Sequence, residues 1–146
     1  MTPLQLKNNL KRFTIPVLQK EVSAIILRDN KIIDRKRDEL KAGVSPDGSD
    51  IGTYRSPSYA VFKQSRNPFA GGKVDLILTG AYERAIKVLS LGNSKFTLRS
   101  SDSKRNDLIA KYGIENEGIN NEIWNKLQKF DYMPQLVNKI RPKIER

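Results

Sequence analysis

Between residues 15 and 33 apolar side chains recur at Ile15, Leu18, Val22, Ile25, Ile26, Ile32 and Ile33. Steps of three and four residues put them on one face of a helix. Pro16 suits the first turn, where its missing N–H is not needed. Thr14 suits the N-cap, and Gly43 suits the left-handed position that ends a helix, just after Lys41 in the last turn. The pattern predicts one continuous helix from Ile15 to about Ala42. Ahead of it Leu4, Leu6, Leu10 and Phe13 predict a short first helix or an ordering arm, with a break near Phe13–Thr14.

Residues 43–58 are dense in Gly, Ser, Pro and Asp, which favours turns. A short helical turn is expected at Tyr59–Gln64 and a second loop at Asn67–Gly72. Val74–Leu78 reads as a strand, with Val74, Leu76 and Leu78 on one face, broken by Thr79-Gly80. Residues 81–91 suit either a helical turn leading into a strand or one continuous strand. Gly92-Asn93-Ser94 reads as a hairpin turn, with Phe96–Arg99 returning. A helix follows over Asp102–Tyr112, closed by Gly113 and turning Leu108, Ile109 and Tyr112 inward. Asn120 caps another bearing Ile123, Trp124, Leu127 and Phe130, and a last segment after Pro134 is ended by Pro142. The expected fold is α+β: a long N-terminal helix packed on a small antiparallel sheet, with C-terminal helices. Residues 1–125 form a single domain and residues 126–146 a basic tail, helical and engaged with neighbouring subunits.

The chain has 146 residues, enough for one domain. Its mean hydropathy of −0.56 leaves a modest core. The best apolar run, Val22–Leu27, is far short of the roughly 20 residues a membrane helix needs. Met1–Phe13 has no apolar stretch of signal-peptide type, so synthesis and retention in cytoplasm are expected, with no membrane partner. There is neither Cys nor His. Disulfides, thiolate and imidazole metal ligands, Cys or Ser–His nucleophiles and an imidazole base are therefore excluded. No cofactor and no enzymatic activity are expected.

Net charge is +11, and its excess lies at the two ends. Residues 1–41 carry ten Lys/Arg against five Asp/Glu, and residues 126–146 carry six against two, whereas eleven against nine nearly balance between them. Arg35, Lys36 and Arg37, with Lys139, Arg141 and Lys143 of the tail, are the candidate contacts for DNA or an acidic partner. Runs of like charge are more often solvated faces, and Asp34, Asp38 and Glu39 interrupt this one. Other motifs carry less. Asp47 and Asp50 lack the remaining oxygen ligands of a calcium loop, so an Asp-Gly turn is expected. Gly71-Gly72-Lys73 precedes a strand rather than following one and is no phosphate-binding loop. Trp124, Phe130 and Tyr132 sit at helical spacing and are expected in the core. Met133, Leu136, Val137 and Ile140 lie beyond any compact core built from the pattern and are candidate intersubunit contacts.

Two stretches together point to a family. Residues 43–63 (GVSPDGSDIGTYRSPSYAVFK) run from a helix end through an Asp-Gly turn into a Tyr-x-Ser-x-x-Tyr-Ala-x-x-Lys segment, and residues 73–80 (KVDLILTG) end in Leu-Thr-Gly. The combination resembles the small virion morphogenesis and neck (head–tail connector, tail-completion) proteins of tailed bacteriophages, in particular the variety of Bacteroides-like hosts that includes the crAss-like phages. Lys111-Tyr112-Gly113 is similar to the Tyr-Gly or Phe-Gly pair that ends a later helix there. The likeness covers about residues 15–125 and carries no catalytic signature; the basic tail departs from it.

The resemblance implies a structural virion protein at the head–tail junction, made in the host bacterial cytoplasm. It would form a homo-oligomeric ring of about twelve copies, matched to the portal, through side-to-side heterologous interfaces. Its partners would be the portal and neighbouring neck or tail proteins, with non-specific contact to genomic DNA during retention or passage. The loops would supply ring contacts through Tyr54, Tyr59 and Phe69. The alternative is a basic nucleic-acid-binding protein acting as an isolated monomer or dimer, which predicts tight, steeply salt-dependent DNA binding without assembly.

Overall fold

The computed structural model describes residues 1–77, 79–92 and 95–146. Helix α1 spans Pro3–Leu10, opened by a capping box in which Thr2 and Gln5 satisfy each other's backbone N–H groups. The expected long helix is two. Helix α2 covers Ile15–Arg28 and α3 covers Lys31–Ala42, with Asp29 in extended conformation between them. The Asp29 carboxylate accepts the Lys31 N–H at 2.9 Å, a local bond that competes with helix continuation. Thr14 holds the N-cap of α2 but makes no side-chain cap bond, and Gly43 ends α3 in the left-handed region at φ 70°.

Helix α4 spans Pro57–Arg66, longer at both ends than the expected turn because Ser56 caps it by accepting the Tyr59 N–H. The segment from Val74 is not a strand. Leu78 lies outside the described residues, and among the described residues Val74–Ile77 has no partner strand, the isolated Thr53–Lys73 bridge lying just before it. Its backbone is satisfied by irregular bonds: the Val74 N–H donates to the Gly52 carbonyl at 3.0 Å, and the Ile77 N–H to the Asp75 carboxylate at 2.9 Å. Between them Leu76 turns to φ 55°.

Residues 81–92 take the first of the two expected forms, a helical turn α5 (Ala81–Arg84) leading into β1 (Ile86–Gly92). Strand β2 (Lys95–Ser100) returns antiparallel, pairing Ile86 with Ser100, Lys87 with Arg99, Val88 with Leu98 and Leu89 with Thr97. The expected turn residues Asn93 and Ser94 lie outside the described residues.

Helix α6 (Arg105–Tyr112) starts three residues later than expected, and its Leu108, Ile109 and Tyr112 are half-buried. Asn120 caps α7 (Asn121–Leu127), accepting from the Glu122 and Ile123 N–H groups. A π turn over Gln128–Tyr132 joins α7 to α8 (Met133–Ile144). Pro134 explains it, having no N–H for the Phe130 carbonyl and a ring that crowds that carbonyl, so the preceding turn widens. Pro142 lies within the last turn of α8 rather than ending the helix before it.

One core gathers Ile25 and Ile26 of α2, Ile32 and Leu40 of α3, Tyr82, Ile86 and Leu98 of the hairpin region, and Leu127, Tyr132 and Leu136 of the C-terminal run. The α+β class stands, with helices packed on a two-stranded antiparallel sheet. The break at Asp29 lets α2 and α3 both face this core, which a straight helix could not do. Phe130 is the exception to the expected aromatic core: it is 66% exposed, whereas Tyr132 is buried and Trp124 packs against it at 6.0 Å between ring centroids. Among the described residues no helix is long and apolar enough to cross a membrane.

Candidate functional site

Residues 54–77 fold around a buried ion pair. Helix α4 points Lys63 inward, where its Nζ lies 2.7 Å from Asp75 Oδ1, both side chains being almost wholly buried. The same ammonium donates to the Ile77 carbonyl, and Asn67 Nδ2 bridges Asp75 Oδ2 at 2.8 Å to the Lys41 carbonyl at 2.7 Å. The Tyr54 hydroxyl approaches Asp75 Oδ1 at 3.5 Å, and its ring meets Tyr59 edge-on at 5.0 Å. Four chain segments thus converge on one carboxylate. Beside it lies a cavity of about 230 Å³, lined by Tyr54, Lys63, Leu76, Tyr82, Leu108 and Tyr112. Burial pushes the Tyr54 and Tyr82 phenols well above their ordinary value, so both remain protonated donors. A donating phenol and a lysine already paired with a carboxylate give the cavity no free base or nucleophile from this cluster.

The acidic turn is satisfied locally. Asp47 accepts from the Ser49 N–H at 2.9 Å and its hydroxyl at 2.6 Å, which holds its carboxyl below the usual range, while Asp50 pairs with Lys73 at 2.7 Å. A second network ties the hairpin to α6. Glu117 takes a two-pronged bond from Arg105, at 2.8 and 2.7 Å, and the Tyr82 hydroxyl at 3.1 Å.

The proposed basic contacts are separated by the fold. Arg35 and Arg141 are exposed. Lys36 is fully buried and bonded to Glu39 at 3.1 Å, so the expectation that it meets DNA is corrected: it sits on the inward face of α3. Arg37 is half-buried and donates to the Glu83 and Arg84 carbonyls at 3.3 and 3.4 Å. Lys139 pairs with Glu21, and Lys143 lies 3.7 Å from the same carboxylate.

The expected apolar contacts also divide. Leu136 is buried in the core and Ile140 packs against it, because α8 docks on α2; the expectation that both lie outside the core is corrected. Met133 and Val137 remain exposed and, with Phe130, follow steps of three and four along the outer side of the run. Tyr54 is half-buried, whereas Tyr59 and Phe69 are exposed, the latter at 72% with Lys41 over its ring at 4.4 Å. Phe62 lies beside Tyr59, with 5.9 Å between ring centroids, and is also exposed.

The two patches lie at opposite ends of α3. Lys31, its first residue, pairs with Asp131 beside Phe130, and Lys41, next to its last, covers Phe69. A helix of 12 residues is about 18 Å long, so one chain carries two distinct apolar surfaces roughly that far apart. Sequence reasoning missed Lys63, Asp75 and the exposure of Phe130. The signal for the first two was a lone acid inside an apolar run, Val74-Asp75-Leu76, paired with the one lysine of the Tyr-Ala-x-x-Lys segment. Comparison with family models, with curated proteins and with solved structures gives no match for this chain.

Proposed function

We propose that this chain is a non-enzymatic structural subunit of a tailed-phage virion, closing with copies of itself into a ring at the portal or neck. The observation that supports this is the pair of different apolar patches at opposite ends of α3, Phe130-Met133-Val137 and Tyr59-Phe62-Phe69. A heterologous interface joins two unlike surfaces, and its repetition closes a ring or extends a filament. The Lys63–Asp75 cluster would hold the second patch rigid, since α4 and the loop bearing Phe69 both anchor to it. About twelve copies, matching the portal, would surround the DNA with a positive field that aids its retention or passage.

The patches give a direct test. Phe69→Glu and Phe130→Glu each spoil one surface and leave the other. Either variant alone should stay monomeric by light scattering where the unaltered chain, with its portal or neck neighbours, assembles. An equimolar mixture should give dimers and nothing larger, because one intact pairing remains. Assembly unaffected by both substitutions would refute these surfaces. Phage lacking the protein that still yields filled, tailed particles would refute the role.

A further inference from the structure

The hairpin carries a charge pattern that neither the core nor the ring reading uses. Residues 85–101 include Lys87, Lys95 and Arg99 and no Asp or Glu. The register sets Lys87 directly opposite Arg99 and Leu89 opposite Thr97, so these four share one face of the ribbon. Lys95, two residues from Thr97, joins them by alternation. The other face holds the buried Ile86, Leu98 and Ser100. On the outward face Lys87, Leu89, Lys95 and Arg99 are exposed. None of the three cations takes part in an ion pair among the described residues. Like charges directly across a strand pair are unfavourable in the free protein. Against phosphates the same pair becomes favourable.

We propose that this outward face of the β1–β2 hairpin is a contact surface for duplex DNA, with Lys87, Arg99 and Lys95 on phosphates and Leu89 and Thr97 over the groove between them. Arg99 and Lys95 are four residues apart on one strand, about 13 Å. The major groove is about 12 Å wide and admits a two-stranded ribbon. Cations at both ends of the ribbon and uncharged side chains between them match a groove bordered by phosphates. An acidic protein face offers no fixed spacing of that kind. The surface is complete on a single chain, so the proposal does not depend on ring closure.

The test is fluorescence anisotropy of the full chain with a labelled duplex of about 20 base pairs, titrated between roughly 50 and 200 mM salt. Lys87→Ala combined with Arg99→Ala should weaken binding about tenfold and lower the slope of log affinity against log salt by about 1.8, at 0.9 per lost phosphate contact. Lys95→Ala alone should lower it by about 0.9 and serves if the double variant folds poorly. Lys7→Ala on α1 with Lys11→Ala at its C-cap should leave the slope nearly unchanged. An equal loss in that control would assign binding to net charge and overturn the proposal. Absence of duplex binding by the unaltered chain would overturn it too, as would hairpin-dependent capture of polyglutamate without DNA. Light scattering on the same samples reports assembly separately, so failure of this surface and failure of the ring reading are distinguishable.

Discussion

Among the described residues two lysines are buried, and their surroundings differ. Lys63 has an ionic partner and a carbonyl acceptor, and its partner Asp75 is also bonded by Asn67 and the Ile77 N–H. Among the described residues Lys36 is bonded only to the Glu39 carboxylate, whose other oxygen accepts the Asn120 N–H at 3.2 Å. Burial therefore dominates for Lys36 and pulls its pKa below the ordinary lysine value, against the pull of Glu39 and Glu117. Lys63 and Asp75 organise irregular backbone that has no ladder to hold it. Lys36 sits within a regular helix that already satisfies its own backbone. The same residue type is thus structural glue in one place and a burden in the other.

The largest effect should come from Asp75→Ala. It leaves the Lys63 ammonium buried with one carbonyl acceptor, takes from Asn67 Nδ2 one of its two acceptors and orphans the Ile77 N–H. Breaking a buried pair in this way costs about 3–5 kcal/mol. A fall of roughly 10 °C or more in thermal midpoint should follow, read by circular dichroism. Lys63→Met with Asp75→Leu should recover only part of it, because the Ile77 N–H stays without its acceptor and Asn67 keeps only the Lys41 carbonyl. Full recovery would mean that the pair is dispensable and would erase the contrast with Lys36.

How much of this was legible follows from where each determinant lies. Gly43, Asn120 and the β2 strand were readable because each depends on neighbours within a few residues. The break between α2 and α3 had a local trace as well: three and four residues after Ile25 and Ile26 come Arg28, Asp29 and Asn30, so the apolar face is interrupted there. Val74–Leu78 misled because alternation implies a solvent-facing Asp75, and only the docking of α4 turns that carboxylate toward Lys63. Leu136 and Lys36 failed for the same reason. Which side of a helix faces inward depends on partners 80 or more residues away, such as Asn120 for the Lys36–Glu39 pair. The surface patches, being a remainder after packing, were legible only for Met133, Val137, Tyr59 and Phe69.

A smaller loss is expected from Gly43→Ala, which asks whether the backbone or the ion pair anchors the loop. A Cβ there would lie 2.9 Å from the Val74 carbonyl oxygen, at φ 70°. The left-handed conformation and the clash together should cost about 2 kcal/mol in urea unfolding. Loss comparable to that of Asp75→Ala would shift the anchor to the backbone. Next in size, Lys36→Met with Glu39→Gln keeps an acceptor for Asn120 and removes both buried charges. It should change stability by no more than about 1 kcal/mol, with gain more natural than loss. A loss like that of Asp75→Ala would make the two lysines equivalent after all.

The finest distinction is in pH. The folded-state pKa of Lys36 lies below its unfolded value of 10.5. Between those two values the unfolded chain binds a proton that the folded chain does not, so this group makes stability rise with pH across that window. Below the window both states are protonated and the full penalty of the buried charge is present. Above 10.5 both are neutral and the penalty is gone. Lys36→Met with Glu39→Gln removes the pair as a unit and serves as the reference, in which groups common to both chains cancel. The stability of the unaltered chain minus that of the variant should therefore increase as pH is raised toward 10.5, measured by urea unfolding at matched ionic strength. A difference that falls over the same range would mean that Glu39 and Glu117 outweigh burial at Lys36. The two buried lysines would then be alike in kind and differ only in the number of bonds around them.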